Sequence, residues 1–424
     1  MNTLLQAGLL GLQFITTFIV SYLLLLTFAA WRAPKHTQSA RANQKRHKFL
    51  ILIPAHNEEK LLPRLLVNLQ ALAYPKEAYS VHVIADNCVD KTAEFATQHG
   101  AIAHERQDDH KKGKGYALQW MLEKLWQDNV AHDAVVILDA DTIVSENFLD
   151  VMNARLNNGE RVIQSYYAVQ NPESSFSAGL RYAALAVLHY LRPQGRMVLG
   201  GSAGLKGNGM VFAADIMRNQ TWSDSVTEDI ELHMTLLLSG ERVTFAPDAV
   251  IQAEMPDKLT DARSQNVRWE QGRLQMAKKY IPQLFTAVLR KANHPKKAFV
   301  LLDAIMEHLI PPFSVLAGLS VVSLLGSLLW WFTEARTLGS QPSTLGASGT
   351  TFNLSLYSLI LSLGVLLGQV VYLLAGLKMV NAPRSVYRVF IYAPWYILWK
   401  IWHYVRILFG FKQQTWVRTT RNEG

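Results

Sequence analysis

Val135-Val-Ile-Leu-Asp-Ala-Asp141 is an apolar run that ends in two carboxylates, Asp139 and Asp141. Consecutive apolar residues of this length predict a strand that is buried on both faces. In an open α/β sheet, ligands bind beyond the carboxyl ends of the strands, which is where the two carboxylates fall. Such oxygen donors suit a divalent cation, and that cation suits a diphosphate. Taken alone, the stretch is equally typical of a strand end with solvated acidic side chains.

Strand patterns alternate with helical patterns on both sides of this stretch. Short apolar runs at 49–56, 81–85 and 102–105 precede it, and a helical pattern or a glycine turn follows each one. This alternation predicts βαβ units, and therefore an α/β domain with a Rossmann-like, mostly parallel sheet. Beyond Asp150 the pattern is mixed. Strands are predicted there at 161–170, 242–245 and 249–254, and helices at 176–191, 226–240 and 263–280.

The composition predicts a membrane region as well. Only 18% of the 424 residues are charged, below the ordinary quarter of a soluble domain. Residues 4–30 carry no charge and are long enough to span a bilayer. Basic residues follow this segment, which predicts that the N-terminus is outside and that the next domain is cytoplasmic. The protein is predicted to be an integral protein of the cell's inner or plasma membrane.

Further apolar segments lie in the last third of the chain. We predict spans at 313–332 and 354–377, an uncharged exterior loop at 333–353, and a helix at the membrane surface over 299–310. Glu307 and His308 are predicted at a water-facing end of that helix. The aromatic segment 387–411 is predicted to lie on the membrane, although a crossing is the alternative. The predicted divisions are 1–31, 49–285 and 299–424.

Charge and cysteine content exclude some classes of protein. The net charge of +9 gathers beside apolar segments, which favours an anionic membrane surface, and no nucleic-acid-binding module is visible. With Cys88 as the single cysteine, no intrachain disulfide can form.

Two glycine-containing stretches fit no standard phosphate loop. The turn Lys111-Lys-Gly-Lys-Gly115 lacks the GxxxxGK[ST] spacing, and no GxGxxG follows the first strand, so a dinucleotide cofactor is disfavoured. Lys112 and Lys114 either contact phosphate or belong to a solvated turn. The stretch 200–209 has too many glycines for a regular element, which predicts turns, or else a close approach of backbone to a ligand.

Five separated motifs follow one another in the chain: Ile53-Pro-Ala-His-Asn-Glu58, Asp86-Asn-Cys-Val-Asp90, Asp139-Ala-Asp141, Thr227-Glu-Asp229 and Gln265-Asn-Val-Arg-Trp269. In this combination the chain resembles the membrane-bound family 2 glycosyltransferases with the GT-A fold. It is similar to the synthases of cellulose, hyaluronan, poly-N-acetylglucosamine and chitin oligosaccharide. The resemblance covers residues 49–280 and extends loosely over the flanking spans.

The resemblance implies a role for each motif. Asp139 and Asp141 would be the DxD pair that holds Mg²⁺ or Mn²⁺ against the diphosphate of a UDP-sugar. Asp86 would bind the uracil and ribose, and Asp229 would be the general base. The remaining donor-binding residues would be Glu58, Lys114, Gln265, Arg268, Trp269, Trp416 and Arg418. The last two belong to Trp416-Val-Arg-Thr-Thr-Arg421, which has one residue more than the WGTR form of the gating-loop motif.

This chemistry is consistent with the residue types. A sugar hydroxyl is a poor nucleophile near neutral pH, and a carboxylate placed beside it can accept its proton during attack. A metal, together with Arg268 and Lys114, would offset the charge that develops on the departing UDP. One base and one displacement invert the anomeric centre, so an α-linked donor gives a β-linked product.

Two functions fit these residues. One is a poly- or oligosaccharide synthase, for which three predicted spans are few, so that secretion would need a homo-oligomer or a partner. The other is transfer of a single sugar to a membrane lipid such as a ceramide or diacylglycerol. A scaffold without activity is disfavoured, because Asp139, Asp141, Asp229 and Arg268 are all present.

Overall fold

The structure is a computed structural model that describes residues 2–34, 45–223, 225, 227–257, 261–339 and 348–408. Side chains within 261–266, 337–339, 348–353, 400–401 and 403–408 and that of Arg268 lie outside this description.

One eight-stranded sheet organises the domain that follows the first helix, in the order β3-β2-β1-β4-β7-β6-β8-β5. β3, β2, β1 and β4 are mutually parallel, and β6 and β8 are also parallel. This confirms the predicted α/β class with a mostly parallel sheet. The strands are β1 Phe49–Ala55, β2 Tyr79–Asp86, β3 Ile102–Arg106, β4 Ala134–Ile137, β5 Thr142–Val144, β6 Val162–Val169, β7 Met210–Ala213 and β8 Thr244–Ala253.

Some helices cover the two faces of the sheet, and three others are the candidate membrane spans. Those of the first part are α1 Thr3–Trp31, α2 Leu62–Gln70, α3 Thr92–Gln98, α4 Lys114–Gln127, α5 Phe148–Asn157, α6 Phe176–Leu185, α7 Arg192–Leu199 and α8 Ala214–Arg218. The later ones are α9 Glu228–Ser239, α10 Asp261–Arg290, α11 Pro295–Leu309, α12 Phe313–Gly339, α13 Ser348–Met379, α14 Arg384–Arg388 and α15 Ala393–Leu408. A π-helical turn, Ala186–Leu191, joins α6 to α7.

Strand β1 shows how the two cores form. Its successive side chains point to opposite faces of the sheet. Phe49, Ile51 and Ile53 pack into one core with α2 and α5, whereas Leu50 and Leu52 pack into the other with α4. All five are almost fully buried, as expected for a central parallel strand that is covered on both faces.

Three details of the sheet differ from the sequence patterns. β5 was not predicted, because it is only three residues long. β7 was not predicted, because it directly follows the glycine-rich stretch and pairs antiparallel with β4 and β6. The two predicted strands over 242–254 form one strand, β8. Its register against β6 shifts between Ser165 and Tyr166, so the segment around Pro247 is accommodated as an irregularity rather than as a break.

Three helices are long and apolar enough to cross a membrane: Thr3–Trp31, Phe313–Arg336 and Leu354–Met379. They pack directly on one another through a polar seam. The Gln13 Nε2 atom lies 2.9 Å from Ser327 Oγ and 2.8 Å from both Ser358 Oγ and Ser362 Oγ. The predicted exterior loop at 333–353 is wrong in extent, since α12 continues to Gly339 and α13 begins at Ser348.

The α/β domain is docked on the membrane helices at α7. A Cβ atom added at Gly195 would lie 2.3 Å from the carbonyl oxygen of Leu26, so α7 and α1 touch backbone to backbone. Arg196 of α7 donates from Nε to Asp303 Oδ2 of α11 at 2.8 Å, and Tyr22 of α1 donates to Asp303 Oδ1 at 2.6 Å. These contacts fix the domain against α1 and α11.

The predicted water-facing position of Glu307 and His308 is wrong. Glu307 Oε1 lies 3.4 Å from Arg192 Nη1, and the Glu307 side chain is only 19% exposed. Arg192 and Arg196 of α7 compensate its charge. The sequence of α11 alone could not predict these partners, because they lie on another helix.

Candidate active site

The carboxyl ends of β1, β2 and β4 lie side by side, because these three strands are parallel neighbours. The chain turns sharply after two of them. Asn57 and Asn87 both have left-handed backbones, with φ of 56° and 52°. Their side chains close the turns, since Asn57 Oδ1 accepts from the Val89 amide at 2.8 Å and Asn87 Oδ1 accepts from the Asp108 amide at 2.9 Å. Left-handed non-glycine residues of this kind concentrate at functional sites.

Asp86 ends β2 inside a buried ion pair. Arg106, at the end of the neighbouring strand β3, donates from Nη1 to Asp86 Oδ1 at 2.5 Å. The two side chains are 5% and 10% exposed. The Arg106 Nη2 atom also donates to the Lys111 carbonyl at 2.8 Å, so the same guanidinium anchors the basic glycine turn. Glu58 lies on the loop after β1, and its amide donates to Thr92 Oγ1 at 2.8 Å.

Lys114 begins α4 and joins the DxD motif to the glycine-rich stretch. Its ammonium donates to Asp139 Oδ1 and to the Gly207 carbonyl, both at 2.5 Å. Burial opposes the charge on Lys114, but Asp139 and Glu228 outweigh it and raise its pKa. Lys114 is therefore an ammonium at neutral pH and is held at the Asp139 carboxylate.

The loop that carries Gly207 is fixed by buried amides. The Asp139 amide donates to Asn208 Oδ1 at 3.1 Å, and Asn208 Nδ2 donates to Thr142 Oγ1 at 2.8 Å. Gln164 of β6 donates to the Asn208 carbonyl at 2.8 Å. Asn208 is fully buried. The backbone of residues 200–209 passes close to Lys114 and Asp229, while its approach to a ligand stays a prediction.

Asp229 lies on the other side of Gly207. It occupies the first turn of α9, where the helix dipole favours negative charge. A Cβ atom added at Gly207 would be 3.3 Å from Asp229 Oδ2. Burial raises the pKa of Asp229 and raises that of the adjacent Glu228 to about 7, with Lys114 acting in the opposite direction on both.

Helix α10 packs directly against the start of α9. A Cβ atom added at Gly272 would lie 2.3 Å from Thr227 Cγ2, so the two helices touch. Further along α10, Tyr280 donates to Glu231 Oε1 at 2.9 Å. Trp269 stands one turn before Gly272 and is 37% exposed, with the Arg181 guanidinium 5.4 Å from its ring centroid.

The other residues of this motif and of the tail cannot be placed in the same way. Gln265 and Arg268 lie on α10, but their side chains fall outside the described part of the chain. Trp416 and Arg418 lie outside the described residues.

The family model "Glycosyltransferase like family 2" matches residues 47–272, which is more than half of the chain. The chain belongs to this glycosyltransferase family. The match includes the ends of β1, β2 and β4, the start of α9 and the Gln265–Trp269 motif, and it confirms the resemblance drawn from the motifs. Residues 47–272 are accordingly a family 2 glycosyltransferase domain.

Curated relatives of this glycosyltransferase make two kinds of product. A β-monoglucosyldiacylglycerol synthase of Nostoc sp. is 27% identical over 230 residues, covering 52% of this chain and 48% of the relative. A poly-β-1,6-N-acetyl-D-glucosamine synthase of Staphylococcus aureus is 25% identical over 229 residues, covering 52% and 53%. The matched segment spans about half the length of these relatives.

Solved structures resemble the glycosyltransferase more loosely. A mannosyltransferase of Pyrobaculum calidifontis, solved in complex with GDP-Man and Mn²⁺, covers 88% of this chain and 95% of its own, at 15% identity and a TM-score of 0.48. A likeness of that size decides nothing about the donor or the metal of this protein.

The donor set at the end of β4 fits a divalent cation that is shared with a substrate. Asp139 and Asp141 supply two carboxylates, and within the described residues no group of three or more His, Cys, Asp or Glu side chains is arranged to hold a metal. Mg²⁺ and ions like it are often bound through one or two carboxylates plus substrate phosphates and waters. Such a cation would therefore complete its coordination with a diphosphate.

Sequence reasoning missed several residues of this site. Arg106, Asn208 and Gln164 were not singled out, although each fixes a predicted residue or the loop beside it. The position of Arg106 at the end of a strand beside Asp86 was the one signal available. The sequence contains no signal for the side-chain amides of Asn208 and Gln164, because their partners lie far away in the chain.

Proposed function

We propose that this glycosyltransferase transfers a sugar from a UDP-sugar to a hydroxyl group at the membrane, with metal dependence and with inversion of the anomeric centre. The observation that carries the proposal is the position of Gly207. Its carbonyl accepts from Lys114, which also binds Asp139, and its α-carbon faces Asp229. Gly207 would thus lie between a donor diphosphate at Asp139 and an acceptor hydroxyl at Asp229.

Each residue has a distinct task in this proposal. Asp86 and Glu58 border the pocket for the uridine at the ends of β1 and β2. Asp139 and Asp141 would hold Mg²⁺ or Mn²⁺, which when bound offsets charge on the diphosphate. Lys114 remains beside the same phosphates and stabilises the departing UDP electrostatically. Gln265, Arg268, Trp269, Trp416 and Arg418 are proposed to complete the donor site.

The transfer step needs one proton acceptor. Asp229 takes the proton of the acceptor hydroxyl as its oxygen bonds to the anomeric carbon, and the bond from that carbon to the UDP oxygen breaks. UDP leaves with the bonding electron pair. Attack from the face opposite to UDP converts an α-linked donor into a β-linked product.

A growing saccharide is the first candidate acceptor. Trp269 supports it, because its half-exposed ring lies on the helix that packs against the start of α9 and offers a face on which a sugar can stack. Extension of a poly- or oligosaccharide would follow if the product remained bound. A homo-oligomer or a further protein would then be needed for secretion.

A membrane lipid is the second candidate acceptor, and the packing of the spans favours it. Gln13 contacts Ser327 of α12 and Ser362 of α13 at the same time, so side chains fill the space between these three helices. A single sugar added to a lipid at the membrane surface needs no path through them.

We also propose the membrane arrangement that the charges favour. The chain would divide into an N-terminal span at 1–31, a cytoplasmic catalytic domain at 49–285 and a C-terminal membrane region at 299–424. The exposed aromatic side chains of Tyr392, Trp395 and Trp402 favour a position of α15 and the turn before it on the membrane surface rather than a crossing.

The proposal is tested by UDP release from purified protein in lipid nanodiscs. UDP-glucose, UDP-N-acetylglucosamine, UDP-glucuronate and UDP-galactose are each supplied with Mg²⁺ or Mn²⁺, and products are sized by mass spectrometry. A ladder of sugars identifies the saccharide acceptor, and one lipid-soluble product identifies the lipid acceptor. Absence of turnover with every donor, in the presence of saccharide and lipid acceptors, contradicts the proposal.

A further inference from the structure

A group of polar side chains lies between the glycine-rich loop and α11, and the proposed transfer step uses none of them. They come from the π-helical turn, the glycine-rich loop, α9 and α11. The members of this group, which we call the membrane-side chamber, are His189, Lys206, His233, Glu307 and His308.

The chamber adjoins the proposed base. A Cβ atom added at Gly204 would lie 3.6 Å from His233 Cε1 and 3.8 Å from Lys206 Nζ, so the imidazole and the ammonium line the same space. His233 stands one helical turn after Asp229 on α9, and Lys206 directly precedes the glycine that touches Asp229. The group therefore adjoins the Asp229 carboxylate, which acts electrostatically on Lys206.

Glu307 contributes an acceptor oxygen that has no hydrogen bond. Its Oε1 atom lies 3.4 Å from Arg192 Nη1, but the buried Oε2 atom has no hydrogen bond. Arg196 Nη1 is 3.9 Å from Oε2, too far for a hydrogen bond, since the Arg196 guanidinium is bound to Asp303 at 2.7 and 2.8 Å. Burial alone would raise the pKa of Glu307, but nearby arginines and Lys206 hold it at about 2, so the side chain is an anion.

Lys206 contributes the complementary donor. Its amide is anchored to Gln164 Oε1 at 2.9 Å, which fixes the origin of the side chain. Within the described part of the chain its ammonium has no hydrogen-bond or ion-pair partner. Burial lowers the pKa of Lys206, and Glu307 and Asp229 are the negative charges that act on it.

His189 marks the same place by an irregular backbone. It lies in the π-helical turn Ala186–Leu191, a feature that is rare and often found at functional sites. Its Nδ1 atom lies 3.2 Å from the Tyr167 carbonyl and its ring stacks on Tyr167. Burial holds the pKa of His189 at about 3, so the ring is neutral. The neighbouring buried His308 Nδ1 atom has no partner either.

We propose that Glu307 and Lys206 bind hydroxyl groups of a sugar acceptor and thereby position a neighbouring hydroxyl at Asp229. This inference rests on the proposed function. A hydroxyl both donates and accepts, so one sugar ring can donate to Glu307 Oε2 and accept from Lys206 Nζ. A phosphate would satisfy Lys206 but would be repelled by Glu307, and an acyl chain would leave both charges unpaired at a high cost.

Binding of hydroxyl groups by both Glu307 and Lys206 would distinguish saccharide acceptors from diacylglycerol. The sugar end of an oligosaccharide or of a glycolipid carries several hydroxyls and can fill both positions. A 1,2-diacylglycerol has one free hydroxyl, which the reaction at Asp229 consumes. The acceptor class is accordingly a saccharide, free or lipid-linked, rather than a diacylglycerol.

The test uses the full-length protein in nanodiscs with the UDP-sugar that the donor screen identifies. The wild type, Glu307→Gln and Lys206→Met are assayed with a short β-linked oligosaccharide, a monoglycosyl-diacylglycerol and 1,2-diacylglycerol. Losing a hydrogen bond to a charged group predicts an acceptor KM that rises roughly 10- to 100-fold, with a smaller effect on kcat. UDP affinity, measured by calorimetry, is expected to stay unchanged and reports that each variant is folded.

Lys297→Met is the matched control, because Lys297 is an exposed lysine at the start of α11. It should leave the acceptor KM unchanged. An unchanged acceptor KM in both chamber variants overturns the inference, as does a preference of the wild type for 1,2-diacylglycerol. A loss of UDP affinity that parallels the loss of transfer also overturns it, since the residues would then act on the donor site or on folding. A wild type that turns over no UDP-sugar removes the proposed function itself.

Discussion

Gly207 lies in contact with the carboxylate of Asp229, such that a methyl group on its α-carbon would approach Oδ2 to 3.3 Å. The same residue has a φ of +77°, and its carbonyl accepts from Lys114. One glycine therefore joins the proposed base to the lysine that binds the DxD motif. A side chain at this position would be strained by the positive φ and would force Asp229 or the loop to shift by a few tenths of an ångström.

Gly207→Ala should reduce transfer by roughly 100-fold, because the added methyl displaces Asp229 or the loop from its geometry. The rate of UDP release under saturating donor measures the effect. Gly159→Ala is the control, since Gly159 has a φ of +81° but nothing within 4 Å of an added Cβ atom. It carries the same left-handed backbone cost, about 1–2 kcal/mol, without the contact. Equal losses in the two variants would contradict the role of the contact.

Arg106→Met should destabilise the protein and weaken UDP binding, because it leaves Asp86 as a buried charge without its partner. Breaking a buried pair in this way costs about 3–5 kcal/mol. Arg64→Met removes a pair with Glu254 whose side chains are 51% and 41% exposed, and exposed pairs contribute about 0–1 kcal/mol. Thermal unfolding in lipid and calorimetry with UDP measure both effects. If Arg106→Met behaved like Arg64→Met, Asp86 would not depend on the ion pair.

The pH profile should have its acid limb above the range of an ordinary aspartate. Burial raises the pKa of Asp229, and that of Glu228 to about 7. The base must be deprotonated to accept a proton. We therefore expect kcat/KM to be low while Asp229 is protonated and to increase as the pH rises through the raised pKa of Asp229. Glu228→Gln removes the adjacent charge and should move the limb to lower pH. A limb near pH 4, the ordinary value for aspartate, would contradict the raised pKa.

Removal of divalent metal should abolish transfer. Treatment with EDTA is expected to stop UDP release, and Mg²⁺ or Mn²⁺ should restore it, because the Asp139 and Asp141 carboxylates repel a diphosphate unless a cation lies between them. Asp139→Asn should require a higher metal concentration for half-maximal activity. The control is Asp215→Asn, an exposed aspartate that pairs with Arg161. Full activity after chelation would remove the metal role from the DxD motif.

The strand ends of this site were predictable because their signals are local. Asp86 and Asp139 follow apolar runs, and parallel neighbours place the ends of such runs together. The arrangement around Gly207 was not predictable, since Lys114 lies 93 residues before it and only the folded loop brings them into contact. Composition could not decide between a simple turn and a close approach.

Glu307 illustrates the opposite failure. A glutamate near the end of an amphipathic helix ordinarily faces water, and the sequence offers no reason to expect otherwise. Its partner Arg192 is 115 residues away, on a helix that reaches it only because Gly195 lets α7 lie against α1. Long-range charge compensation of this kind is invisible to local patterns.

The central claim is that Asp229 is the base of an inverting transfer, and the most direct measurement compares wild type with Asp229→Asn. UDP affinity is measured by calorimetry, and the anomeric configuration of the product by proton NMR. We expect both proteins to bind UDP equally. The wild type should convert an α-linked donor into a β-linked product, and Asp229→Asn should give no product. An α-linked product, or undiminished turnover by Asp229→Asn, would contradict it.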